Sequence, residues 1–480
     1  MEVRPMRCLV VSTYELGRQP FGVASAAAWL GEAGVTVDCL DLAVEALDET
    51  KVAGADLIAF HVPMHTATRI ALARLPAVQR VNADAHICFF GLYAPVNEPY
   101  LRRVGVGTVL GGEFEEGLVS LARRLLADRH APGQVEPVIS LARQEFRVPE
   151  RTALPPLHRY ARLNLSDGRQ RVVGYTEASR GCKHVCRHCP VVPVYGGRFR
   201  VVQRDVVLAD VARQVDLGAE HITFGDPDFL NGPAHAAALV RALHERFPRL
   251  SYDVTIKIEH LRQRPELLEL LRDTGCLFVT SAVEAVDDAT LTVYDKNHTR
   301  QDFIDVALAF RLVGLVFNPT FVTFSPWTTL ESYADLLVLL AELELVDHVA
   351  PIQLAIRLLV PAGSRLLELP ETRELVGAFD DEMLCYPWQH PQPMVDVLYE
   401  AVRDRVAAGT DRGADRREIF AEVWSLARDA LDEAGSAFGM PREPELGTAR
   451  SVPTVSEPWY CCAEPTEALL RGAGNGSATL

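Results

Sequence analysis

The chain has 480 residues, enough for about three domains at roughly 150 residues each, and its 48% hydrophobic and 23% charged residues are the balance of an ordinary globular protein. Acidic residues outnumber basic ones by 64 to 48, and the net charge of -16 argues against a broad nucleic-acid surface, which needs clustered Lys and Arg. No stretch approaches the ~20 apolar residues of a membrane span, and Met1–Tyr14 carries no apolar core with a cleavage site, so a cytoplasmic protein without membrane attachment is expected, its ten cysteines free, metal-bound or catalytic.

Residues 7–14 read as a buried parallel strand, followed by a loop from Glu15 to Gly22 and an Ala-rich helix, Val23 to Ala33, ended by Gly34. Further strands are expected at 35–40, 55–62, 85–90 and 108–110, with a last helix near 115–126. Strands alternating with helices at this spacing predict a doubly wound α/β domain over residues 1–130. Pro132, Pro137, Pro149, Pro155 and Pro156 break the pattern, so residues 131–170 read as a linker. Alternation resumes with strands at 173–178, 220–225, 252–257, 277–283, 317–324 and 352–359. Six βα units over 171–368 predict a partial parallel barrel, with its chemistry at the C-terminal ends of the strands. Residues 369–440 read as helical, clearest at Pro393–Ala408 and Arg416–Ala434, and 441–480 as a flexible Pro-rich tail.

The strongest signal is Gly181-Cys182-Lys183-His184-Val185-Cys186-Arg187-His188-Cys189-Pro190, a C-x3-C-x2-C run just after the first barrel strand. Three thiolates on one loop can converge on one inorganic core, and soft thiolates select zinc, copper(I) or iron–sulfur clusters. An electron-transfer cluster normally takes four cysteines, so three would leave one iron open to a substrate. A structural zinc site using His184 or His188 is the plainer alternative, although zinc motifs usually space their ligand pairs further apart.

In this motif and its place after a barrel strand, the sequence resembles the radical S-adenosylmethionine superfamily. The resemblance covers roughly residues 170–370 and implies that Cys182, Cys186 and Cys189 hold a [4Fe–4S] cluster whose open iron chelates S-adenosylmethionine. It also implies reductive cleavage of the sulfonium, an external donor of flavodoxin or ferredoxin type, and a small-molecule substrate. Within it, Gly225-Asp226-Pro227-Asp228 looks like the segment that accepts the methionine amino group, through Asp226 or Asp228. Both aspartates read equally as turn or capping residues. Glu284 matches the position that binds ribose hydroxyls in relatives, with a solvated strand-end charge as the alternative. Arg357, in an otherwise apolar strand, could pair with the cofactor carboxylate. Lys257 and Glu259 read as a barrel-end ion pair.

An α/β domain ahead of such a barrel is similar to the cobalamin-binding architecture, and Gly111-Gly112-Glu113 suits a loop approaching a bulky ligand. Many such domains carry Asp-x-His-x-x-Gly after the first strand, with the histidine on cobalt. Here the loop reads Tyr14-Glu15-Leu16-Gly17-Arg18, so cobalamin is expected to bind without a protein ligand to cobalt, or the domain is structural. His61 and His65, at a strand end, read as structural.

The tail holds Trp459-Tyr460-Cys461-Cys462-Ala463-Glu464-Pro465. Adjacent thiols can form a redox pair or chelate a thiophilic atom, or they are ordinary exposed thiols. The tail resembles that of the CCAEP (or CUAEP) radical S-adenosylmethionine proteins, which makes Cys461 and Cys462 the expected catalytic thiols. By analogy, trivalent arsenic is one specific acceptor, with carbon–arsenic bond formation. The first expectation is thus a radical S-adenosylmethionine enzyme acting on a small molecule, with a thiophilic acceptor as the specific case. The alternatives are a cobalamin-dependent methyltransferase in natural-product biosynthesis and, in another class, a metalloid- or redox-sensing binding protein stabilised by a cluster or zinc. Cys8, Cys39, Cys88, Cys276 and Cys385 read as core thiols, and Thr299 as a helix cap.

Overall fold

A computed structural model describes residues 6–128 and 133–457; Cys461 and Cys462 lie outside the described residues. The first sheet is formed by β1 (Arg7–Ser12), β2 (Thr36–Asp41), β3 (Leu57–His61), β4 (His86–Phe90), β5 (Thr108–Gly112) and the short β6 (Ile139–Ser140). Its order is β2-β1-β3-β4-β5-β6, and every pairing is parallel. The continuous apolar run of β1 follows from burial on both faces. Cys8 and Val10 pack towards the helices Phe21–Glu32 and Glu115–Ala127, whereas Leu9 and Val11 join a second core on the opposite face. The strand order reverses between β1 and β3, and the C-terminal ends of those two strands are where such sheets form a ligand crevice.

The second sheet contains β7 (Arg162–Asn164), β8 (Gln170–Thr176), β11 (His221–Phe224), β12 (Ser251–Thr255), β13 (Cys276–Glu284), β14 (Val316–Phe321) and β15 (Thr454–Val455). A small hairpin, β9 (Ser179–Gly181) with β10 (Phe199–Val201), flanks the cysteine loop. The sheet order is β14-β13-β12-β11-β8-β7-β15, with five parallel strands from β8 to β14 and two antiparallel edge strands. It curls into a half-barrel. Ile222, Val254 and Val279 point into the helical layer, while Thr223, Thr255 and Thr280 line the concave side.

The sixth expected strand is reduced. Residues 351–355 form a 3-10 turn, and the segment contributes one bridge, Phe324 with Arg357. The Gln353 side chain accepts from the Phe321 N–H at 3.0 Å, taking the place of a ladder bond. The segment read as a linker is also ordered into the body. Arg151 is buried and joins Gln19 of the first domain (2.8 Å) to Asp210 of a barrel helix (2.7 Å). Residues 441–457 are laid against the body too: Trp424 donates to the Pro441 carbonyl at 2.9 Å, and β15 pairs with β7. No helix among the described residues is long and apolar enough to cross a membrane.

Candidate active site

The cysteine loop leaves β9 through Gly181, whose φ of +72° favours glycine and where a Cβ would overlap the Tyr195 ring and the Arg198 carbonyl. Asn231 clamps the turn, donating to the Gly181 carbonyl at 3.1 Å and accepting from the Lys183 N–H at 3.1 Å. Further along, the Arg187 N–H donates to the Tyr294 carbonyl (2.9 Å), and Arg365 donates to the Val185 carbonyl (2.6 Å). The loop is therefore held at its start and in the middle.

Cys182, Cys186 and Cys189 all line one cavity of about 300 Å³. Four thiolates on one zinc ion would sit about 3.8 Å apart. Cys182, His184 and Asp228 offer ligand atoms that all lie within 4.8 Å of one another. Burial, reinforced by Asp228, pushes the Cys182 thiol up to about 12, so its thiolate needs a bound cation. The His184–Asp228 group is also in contact with His260. Asp228 sits 2.7 Å from His260 Nδ1 and caps a 3-10 turn by accepting from the Leu230 N–H.

Glu284 lines the same cavity beside the cysteine loop. It has a positive φ of 72°, rare outside glycine, at a register shift between β13 and β14. Its Oε1 is 3.0 Å from His188 Nε2 and 3.4 Å from Lys296 Nζ. Burial opposes its charge, but Lys296 and His188 overcome that and hold the carboxyl down to about 2. Burial likewise opposes the Lys296 charge, and Glu284 with Cys186 and Cys189 raises it above the usual lysine range. An anionic cluster beside Lys296 is electrostatically consistent with this arrangement.

The expected site residues separate in space. Gly225, Asp228 and Glu284 line the cavity with the three cysteines. At Gly225 a Cβ would overlap Tyr175, so close approach to the cavity wall requires glycine. Asp226 is not in the wall: its two oxygens accept from Ser179 Oγ (2.6 Å) and the Ala178 N–H (2.9 Å) and so hold the turn into β9. Arg357 is likewise elsewhere, against expectation. Its guanidinium donates to Asp396 (2.8 Å), stacks on Trp388 (3.7 Å to the ring centre) and has no donor facing the cavity wall. Lys257 and Glu259 do form an ion pair, at 3.0 Å.

The same cavity extends over the first sheet, where Glu15, His61, Gly91 and Phe114 form its wall. Gly112 reaches the cavity, with φ +69°, but its need for glycine comes from the Ser140 carbonyl, and Gly111 is packed under Pro95. His65 has a hydrogen bond here, whereas His61 Nδ1 has none among the described residues. His61 faces Glu15 at 3.5 Å on one side and Gly22 on the other, and His65 Nε2 pairs with the Met383 carbonyl at 2.7 Å. Arg180 joins the two halves of the wall. It lies 2.6 Å from Glu115, 2.7 Å from Glu177 and 3.5 Å from Glu113, with its guanidinium over Phe21, Phe114 and Phe146. His188 was read only as a possible zinc ligand, and Arg180, Lys296 and Glu457 were not legible as site residues.

Residues 176–337 match the Radical SAM superfamily. The chain thus carries a radical SAM domain, and such a domain implies an enzyme that uses a [4Fe–4S] cluster and S-adenosylmethionine. Among curated proteins, the chain is 24% identical over 131 residues to the hopanoid C-2 methylase of Rhodopseudomonas palustris, covering 26% of this chain and 25% of that protein. It is 26% identical over 126 residues to the bacteriochlorophyllide d C-12(1)-methyltransferase of Chlorobaculum tepidum, covering 26% and 27%. The matched segments thus span about a quarter of either relative. Among solved structures, the cobalamin-dependent S-adenosylmethionine radical enzyme OxsB with aqua-cobalamin bound aligns at TM-score 0.67 and 15% identity, covering 89% of this chain and 72% of that one. The radical S-adenosylmethionine methyltransferase TsrM from Kitasatospora setae aligns at TM-score 0.65 and 16% identity, covering 89% and 98%. These likenesses establish the architecture, an α/β domain joined to a radical SAM half-barrel.

Proposed function

We propose that the chain is a cobalamin-dependent radical S-adenosylmethionine methyltransferase acting on a small molecule. The observation that carries this is a single cavity walled on one side by the three cysteines and Glu284, and on the other by the loops at the switch point of the first sheet. Methyl transfer between two cofactors needs such a shared space. The names of both curated relatives describe methyl transfer, and none of the relatives reported above is named for arsenic chemistry, so the arsenic acceptor is not carried forward.

When bound, the cluster would supply the electron that cleaves S-adenosylmethionine, and cobalamin would carry the methyl group. In this reading Cys182, Cys186 and Cys189 hold the iron, while Asp228 and Glu284 face S-adenosylmethionine from the ends of β11 and β13. Lys296 keeps Glu284 ionised and ready to accept hydroxyl hydrogen bonds. On the other side, Glu15, His61, Gly91 and Phe114 would face the cobalamin from the loops of the first sheet. A flavodoxin- or ferredoxin-type protein would deliver the electron.

The test is anaerobic purification with hydroxocobalamin supplied. The bound corrin spectrum and labelled methyl transferred from S-adenosylmethionine to the bound corrin are the expected results. Protein that holds a cluster but no corrin would refute the cobalamin part of this reading.

A further inference from the structure

A second, smaller chamber of about 90 Å³ lies on the half-barrel axis, nearer the N-terminal ends of the strands. It shares Arg18, Thr255, Thr280 and Glu457 with the main cavity, and β15 closes its open side through Thr454 and Val455. Buried polar groups are normally matched, and most of those in this wall are. Asp253 Oδ2 accepts from Thr223 at 2.6 Å and pairs with His221 Nε2 at 2.8 Å. Glu457 accepts from the Tyr14 hydroxyl at 2.5 Å. Arg416 donates to the Asp347 carbonyl at 2.6 Å, and His348 pairs with the Phe317 carbonyl at 2.8 Å.

Two groups in the wall are not matched among the described residues. Arg18 Nη1 is enclosed without a partner, and so is Asn318 Oδ1. Asp253 and Glu457 lie close enough to act on Arg18 through space. Arg18 is a cation of this wall with an unpartnered donor. On turning over, the Asn318 carboxamide offers its N–H groups to the same space. A guanidinium with a second donor beside it is the chemistry that takes an oxyanion.

We propose that this chamber is a subsite for a small anionic oxygen group, a carboxylate or a phosphate, on the acceptor molecule, held by Arg18 with Asn318 as the second donor. The proposal rests on the reading that an acceptor enters the half-barrel from the main cavity. Arg18 belongs to the loop after β1, the loop that lacks a cobalt-ligating histidine. That loop instead sends a cation into the barrel, so the first domain takes part in choosing the acceptor.

The test is titration calorimetry on the full chain without S-adenosylmethionine, using malonate, inorganic phosphate and the neutral isostere malonamide. At least one anion should bind while malonamide does not, and which anion binds separates carboxylate from phosphate. Arg18→Gln should weaken that binding by about tenfold or more. Asn318→Asp, which adds a like charge without changing volume, should weaken it as well. Absence of anion binding, equal binding of malonate and malonamide, or parent-like affinity in both variants would overturn the proposal. Because the measurement needs no turnover, its failure leaves the methyl-transfer reading standing, and failure of methyl transfer leaves anion binding intact.

Discussion

Arg180 Nη1 lies 2.6 Å from Glu115 Oε1, and their side chains are only 6% and 0% exposed. One residue belongs to the strand that leads into the cysteine motif and the other opens the last helix of the first domain. The pair therefore fixes the cysteine loop against the first domain. Glu113 and Glu177 share the same guanidinium, so three carboxylates depend on one cation.

Replacing Arg180 with Met removes that cation and leaves three carboxylates buried together. Breaking a buried ion pair from one side costs about 3–5 kcal/mol, and a loss of that size is expected here. Urea unfolding of the variant measures it. A parent-like midpoint would mean that the two halves are joined by other contacts.

The same network sets a pH dependence. Burial, with Glu115 adding to it and Arg180 opposing it, raises the Glu113 carboxyl from 4.5 to about 7. A carboxyl raised by folding binds its proton more tightly in the folded state. Its contribution is full below about pH 4.5 and is lost as pH rises through about 7. Glu113→Gln should flatten that part of the stability-against-pH curve, read from unfolding free energies at half-unit steps. A curve of unchanged slope would show that Glu113 does not carry it.

Glu284 behaves in the opposite sense. Held down to about 2 by Lys296 and His188 against its burial, it contributes stability that persists above about pH 4.5 and is lost only as pH falls towards 2. Glu284→Gln leaves Lys296 buried without its partner, so a destabilisation of about 3 kcal/mol is expected at pH 7. In the same variant, S-adenosylmethionine binding should weaken by at least tenfold, the loss of a charged hydrogen bond. Equilibrium dialysis checks the second effect separately from the first.

Much of this arrangement was legible in the sequence, and the remainder failed for identifiable reasons. The helix Pro233–Arg246 and the five buried strands of the first domain fall where apolar runs and Gly/Pro punctuation put them. The cysteine loop was readable because ligand spacing is local. Asp226 and Arg357 were misplaced because strand-end position alone does not say which face a side chain takes; Asp226 turned to its own backbone neighbours, and Arg357 to Trp388. Lys296 was invisible because its partner Glu284 lies 12 residues away, across a bulge that no periodicity announces. The edge strands β6, β7 and β15 are two or three residues long, too short to carry an alternation.

The Cys461-Cys462 pair lies beyond the described residues, separated by three residues from Glu457, which lines the cavity. Cys461→Ala is expected to keep the parent's iron content and lose at least tenfold in methyl transfer. Iron assay and labelled-methyl counting on the same sample check this, and parent-like turnover would remove the tail from the reaction.

The most direct measurement is the fate of S-adenosylmethionine on anaerobically reconstituted, chemically reduced protein, followed by mass spectrometry. The parent should carry about four irons per chain and convert S-adenosylmethionine to cleavage or demethylation products, while single alanine variants of Cys182, Cys186 and Cys189 should hold little iron and leave it intact. Protein that binds only zinc, or variants that process S-adenosylmethionine as the parent does, would contradict the assignment of these three thiols.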